Sequence, residues 1–254
     1  MIATHLLTGW EIVSHYTHGL LAGKIAMQLS QNLRSDYWGD ILTAIIEHDD
    51  HLQDFSEKNY LTDVGTPLDF TLDKRSEKDA HEHALRVYAN SCQKSQLVAL
   101  LVGRHLEFLF DTGETLTKDF KAFFKMLKTE RKAQLKLYGW STSDLENTYK
   151  LMRFCDRCSL IICQHLIPQG GRQIEINKTI DNKTYFIKEI GEKLHIDPWP
   201  FEKDSFKISY EYRILEQSGF INNKELQNSI QNAPVKIREI NFTMKNPVGR
   251  KKEN

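Results

Sequence analysis

The sequence predicts an α+β protein, mainly α, built as a helical bundle with a small C-terminal β-sheet. Two observations carry this expectation. From Leu20 to His165 apolar residues recur at helical spacing in about six successive segments. After Pro168-Gln169-Gly170-Gly171 the character changes to β-branched and aromatic residues in partial alternation. Helices and strands gathered in separate blocks belong to α+β architecture, in which the sheet covers one side of the helices. The expected organisation is a helical domain over residues 1–168, a strand-rich part over 169–245 packed on it, and a frayed polar tail over 246–254. At 254 residues the chain is long enough for one large domain or a domain with an appendage.

Taken in order, Glu11 to Val13 reads as a short strand and a candidate partner for the C-terminal strands, and Leu21, Ala22, Ile25, Ala26 and Leu29 line one face of a first helix. A second helix starts near Asp36 and carries Ile41, Ala44, Ile45 and His48 on one side. Between Gln53 and Arg75 periodicity fails, and Gly65, Pro67 and several Asp and Asn residues mark a long loop of the kind that is usually functional. Residues 77–92 and 95–109 form a helical hairpin about Gln93-Lys94. Residues 115–138 alternate lysines with Phe120, Phe123, Phe124 and Leu127, a solvated face opposite a buried one. Residues 141–165 open on the N-cap signal Ser141-Thr142-Ser143-Asp144. Strands are expected at 172–176, 184–190, 206–215 and 235–242.

Composition excludes several classes of function. With 34 basic and 34 acidic residues the formal charge is zero, which argues against a nucleic-acid partner and for a small-molecule substrate. No apolar run approaches the ~20 residues needed to cross a bilayer, and Met1 to Trp10 lacks a leader pattern, so the expected location is cytoplasmic, away from membranes. Cys155 and Cys158 have CxxC spacing, but they fall in mid-helix without a second pair, so Cys92, Cys155, Cys158 and Cys163 are expected as reduced thiols.

The informative residues are ionisable groups at core positions, since Asp and His are uncommon inside unless paired or bound to metal. His18 shares the stripe of Leu21, Ala22 and Ile25. His48 and Asp49 border the face of Ile41 and Ile45, and His105 follows Val98, Leu101 and Val102. Asp156 lies in the stripe of Leu145, Tyr149, Met152, Leu160 and Cys163, where a lone carboxylate would cost several kcal/mol. His81 and His83 compete for one more inward position. A single inward histidine is ordinarily a hydrogen-bonded core residue. Several, with two aspartates on different helices, make up the N and O donor set of Zn, Mn, Fe or Ni.

In order, His18, His48-Asp49, His81 or His83, His105 and Asp156 resemble the ligand pattern of the HD-domain superfamily of helical metalloproteins. Along nearly its whole length the chain also resembles the uncharacterised bacterial family known as domain of unknown function 3891. The segments that carry this resemblance include Trp10 to Ala26, Glu47 to Asp50, Gly65 to Phe70, Leu97 to His105, Phe154 to Cys163 and Asp197-Pro-Trp-Pro-Phe201. The resemblance implies an HD-domain-like bundle with one or two divalent ions. His18, His48, Asp49 and Asp156 would hold the first, and His105 with His81 or His83 the second. For such a centre the leading expectation is a metal-dependent phosphohydrolase acting on a small phosphate ester through metal-activated water, with Asp49 bridging and Asp50 and His51, which directly follow the doublet, as candidates to support the ligands or face substrate. The alternatives are a di-iron oxygenase of the same ligand order and a non-catalytic ligand-binding or regulatory protein. Oligomeric state is left open.

Overall fold

The computed structural model describes residues 1–49, 55, 58–73, 76–110 and 117–244. Helices begin where short polar side chains satisfy their first free N–H groups. Helix α1 (His15–Ala26) is capped by Ser14, α3 (Glu77–Cys92) by Ser76, and α5 (Lys118–Tyr138) by Thr117. Helix α5 ends at Gly139, whose φ of 65° turns the chain in the left-handed region that glycine tolerates best. Helix α6 (Thr142–Cys163) opens with a reciprocal capping box between Ser141 and Asp144. Helix α2 (Trp38–Ile46), α4 (Gln96–Phe110) and α7 (Asn223–Asn232) complete the helices among the described residues.

The strands are β1 (Ile2–Leu6), β2 (Gly9–Val13), β3 (Gln173–Lys178), β4 (Thr184–Ile190), β5 (Lys193–Asp197), β6 (Ser205–Leu215) and β7 (Lys236–Thr243). They form one sheet in the order β1-β2-β6-β7-β5-β4-β3, antiparallel except for the β5–β7 pair. The expected helical bundle with a small C-terminal sheet is therefore incorrect. Seven helices stand against a curled, mixed, seven-stranded half-barrel that holds about 22% of the chain, and this sheet draws strands from both ends of the sequence. The physical reason is that periodicity reports which face of a segment is buried, whereas pairing such as Glu11 with Ile214 is a long-range choice. Strands β1 and β5 and helix α7 lay outside the sequence-based assignment.

Helix α1 is the pivot. It packs against α6, α2 and β6, while α2 in turn packs on α4. Nearly all of α4 from Leu97 to Leu106 is buried, and its residues join those of α1 and α6 in one core. Phe201 packs in that core against Phe154, Phe206 and Phe242. Its neighbour Pro200 accepts a hydrogen bond from the backbone of Ser30, so the segment Pro198–Phe201 ties the turn after α1 to the sheet. The described part of the long loop runs beside the N-terminal strand, where Asp69 accepts from the backbone of Ala3 and the Phe70 N–H donates to Met1.

Candidate metal centre

Three helices and the bend that follows a fourth bring the inward polar residues together. His18 comes from the middle of α1, His105 from the second half of α4, and Asp156 from α6. His48 and Asp49 do not lie on α2 as expected: the helix stops at Ile46, and the doublet sits in the bend that follows. Leaving the helix frees the Ile45 carbonyl to accept a hydrogen bond from His48 Nδ1 at 2.8 Å. His18, His48 and His105 are 1%, 1% and 2% exposed, so each has given up hydration and needs a polar partner.

The hydrogen bonds orient the rings. A carbonyl only accepts, so His48 carries its proton on Nδ1 in the neutral form and presents the Nε2 lone pair. Ser159 donates its hydroxyl proton to the Asp156 carbonyl at 2.8 Å and accepts from His18 Nδ1 at 2.8 Å, which leaves His18 in the same tautomer. Both Nε2 atoms then point at one carboxylate oxygen, Asp156 Oδ1, each at 3.2 Å. Asp49 Oδ2 is 3.7 Å from His48 Nε2. Donor atoms of His18, His48 and Asp49 lie within 4.8 Å of one another, as do those of His48, His105 and Asp156. Around a first-row ion with bonds of about 2.0–2.2 Å, neighbouring ligand atoms stand roughly 3.0–3.5 Å apart, and the His18–Asp156 and His48–Asp156 separations of 3.2 Å fall in that range. The buried carbonyl and hydroxyl behind the two rings are the supports that metal-ligating histidines use.

The electrostatics favour a cation at this point. Burial pushes the His48 pKa down, but the Asp156 and Asp49 carboxylates raise it to about 9. Burial pushes Asp156 up, yet His48 and His18 hold it well below the usual carboxylate range. Asp49 behaves alike against the charges of His48, His105 and His15. His105 is brought down to about 4 by burial and then by His48, so its ring is neutral at physiological pH and has a lone pair to give. Positive charge between these carboxylates is supplied by a proton on His48 or by a metal ion that displaces it.

The remaining candidates are placed differently. His81 sets its ring against Phe120 and Phe123, with centroids at 5.3 and 6.2 Å. His83 is buried on α3 with its ring 6.5 Å from that of Phe110. Neither belongs to the groups of converging donor atoms found among the described residues. Asp50 and His51 lie outside the described residues. One neighbour was missed by the sequence reading: His15 sets its ring 6.4 Å from that of His18 and 5.0 Å from Phe70, and its charge reaches Asp49. Its spacing of three residues before His18 is the signal that would have found it. The cysteines of α6 are buried and unbonded to one another, and burial raises the thiols of Cys155, Cys158 and Cys163, which keeps them protonated at neutral pH.

These features define an α+β protein in which a curled mixed sheet backs four helices that enclose a histidine–carboxylate cluster. The chain belongs to the family described as Protein of unknown function (DUF3891), whose match spans residues 1–217. No curated protein and no solved structure matches it. Among the described residues, no helix is long and apolar enough to cross a membrane.

Proposed function

We propose that this protein is a metal-dependent phosphohydrolase of the HD-domain kind, acting on a small phosphate ester. One divalent ion would be held by His18, His48 and Asp156, with Asp49 and His105 beside it. The observation that supports this reading is the convergence of two imidazole Nε2 atoms on the single oxygen Asp156 Oδ1, each ring fixed from behind by a hydrogen bond. When bound, such an ion polarises a phosphoryl oxygen and lowers the pKa of a bound water into the neutral range. The chain's own residues supply orientation. Ile45 and Ser159 fix the rings, Asp49 offers a partly exposed carboxylate toward the centre, and neutral His105 adds a third imidazole. A single ion is favoured over a di-iron pair because neither His81 nor His83, the two candidates for a second ion, belongs to the groups of converging donor atoms among the described residues.

The test is elemental mass spectrometry of protein purified without chelator or affinity metal, beside His48→Ala and Asp156→Asn. Phosphate release is then followed across a panel of nucleotide and sugar phosphates. About one equivalent of metal, lost in both variants, together with metal-dependent release from at least one ester, is the expected result. Bound metal with no turnover across the panel would retain the centre and remove the hydrolase. An absence of metal, even after reconstitution, would remove both.

A further inference from the structure

Arg153 stands one turn before Asp156 on α6, so the two side chains share a face of that helix. Its guanidinium carbon lies 4.0 Å from the centroid of the Phe108 ring. Phe108 in turn sits 6.3 Å from both His105 and Tyr149, and the Tyr149 hydroxyl is 3.2 Å from His105 Nδ1. Arg153 is half-buried, yet among the described residues its guanidinium has no carboxylate or carbonyl within hydrogen-bonding distance. The contrast with Arg104 is direct. That guanidinium also packs on Tyr149, at 4.6 Å, but both its Nε and Nη2 are committed to Glu146 at 2.7 and 3.1 Å. Arg153 thus holds a planar fork of donors beside the cluster with no anion of the described protein to receive them.

We propose that Arg153 is the anion-recognition residue of this centre and takes a phosphate group of the substrate. The proposal rests on the reading of His18, His48 and Asp156 as a metal centre and deepens it by naming the group that approaches the ion. Three features fit a phosphate. A guanidinium stacked on an aromatic ring keeps its edge donors free while its face is covered. Paired donors match two oxygens of one phosphate. Asp49 and Asp156 balance the charge of one divalent ion, so a bound anion gains from a further cation nearby, and Arg153 supplies one on the side of His105 and Tyr149.

The test is calorimetric titration of inorganic phosphate into the full chain, both metal-loaded and metal-stripped, for the wild type, Arg153→Gln and Arg153→Lys. Metal content and Tm are recorded for each. Arg153→Gln keeps a polar helix-forming side chain at a partly exposed position, so it is expected to fold and keep its metal while binding phosphate at least about tenfold more weakly. Arg153→Lys should recover part of that loss. Equal phosphate affinity in Arg153→Gln with only a lower Tm would make Arg153 a cap on Phe108 and overturn the proposal. Loss of metal from Arg153→Gln would also overturn it, by making Arg153 a support of the ligands. If the wild type holds no metal, the metal reading fails on its own, and phosphate binding by the metal-free proteins decides for Arg153. Arg-dependent binding there sustains the proposal, and no binding by the wild type in either form ends it.

Discussion

Ser159 does little for the core as a small hydroxyl, but it sets the tautomer of His18 through one donated and one accepted hydrogen bond. Removing it leaves a buried imidazole N–H without its acceptor, at a cost of about 1–3 kcal/mol. Ser159→Ala should therefore fold with lower stability and bind metal roughly 10–100-fold more weakly, measured by competition with a chromophoric chelator. Unchanged affinity would show that the ring is held by packing alone. At this scale the sequence was informative, because burial of His18, His48 and His105 followed from the apolar residues three, four and seven positions away. The direction each ring faces was not legible, since it depends on Ile45 C=O being released at a helix end and on Ser159 arriving from another helix.

At the scale of elements, the approach of α1 to α2 sets the separation of His18 and His48. Gly23 allows that approach: a Cβ there would fall 2.5 Å from Cγ1 of Ile46. Alanine gains up to about 1 kcal/mol of helix propensity over glycine, whereas overpacking costs about 1–3 kcal/mol. Gly23→Ala should accordingly lose about 1 kcal/mol in urea unfolding and weaken metal binding by spreading the two helices. A stabilised variant would show that Ile46, at the last turn of α2, simply rotates away. A second junction joins three elements. Glu11 of β2, buried at 2% exposure, accepts Arg238 of β7 at 2.6 and 2.8 Å and His165, just past α6, at 2.8 Å.

Burial pushes the Glu11 carboxyl up, but the hydrogen bonds from His165 and Arg238 and their charges bring it down to about 2 from an ordinary 4.5. A depressed folded-state pKa contributes stability that is complete above about pH 4.5 and lost as pH falls toward 2. Its upper size is on the order of 3 kcal/mol. The stability of Glu11→Gln should fall less steeply than that of the wild type between pH 5 and 2, read from urea unfolding at stepped pH. Parallel profiles would assign the acid sensitivity to other carboxylates.

For the whole molecule, β7 is the strand that makes one sheet of two. It pairs with β6 through eight residues and touches β5 on its other side, so β1-β2-β6 and β5-β4-β3 meet only across it. The family match ends at residue 217, well before β7. A chain ended at 217 should expose two unpaired edges and the core positions covered by Ile240 and Phe242, and should aggregate or remain unfolded by circular dichroism and size exclusion. A soluble, cooperative fragment would show that the halves close on each other without β7.

The sequence by itself determined the helical segments that became α1 to α6, the Ser141 signal that opens the last of them, and the inward placing of His18, His48 and His105. All of these depend on neighbours within one or two turns of the chain. Only the tertiary structure decided that all seven strands close into a single curled sheet, and that His81 turns to phenylalanines while His15 stands beside His18. It also decided that His18 and His48 meet on one oxygen of Asp156. Those are contacts between segments far apart in the chain, chosen by the packing of whole faces and the pairing of whole strands, and no local period encodes them.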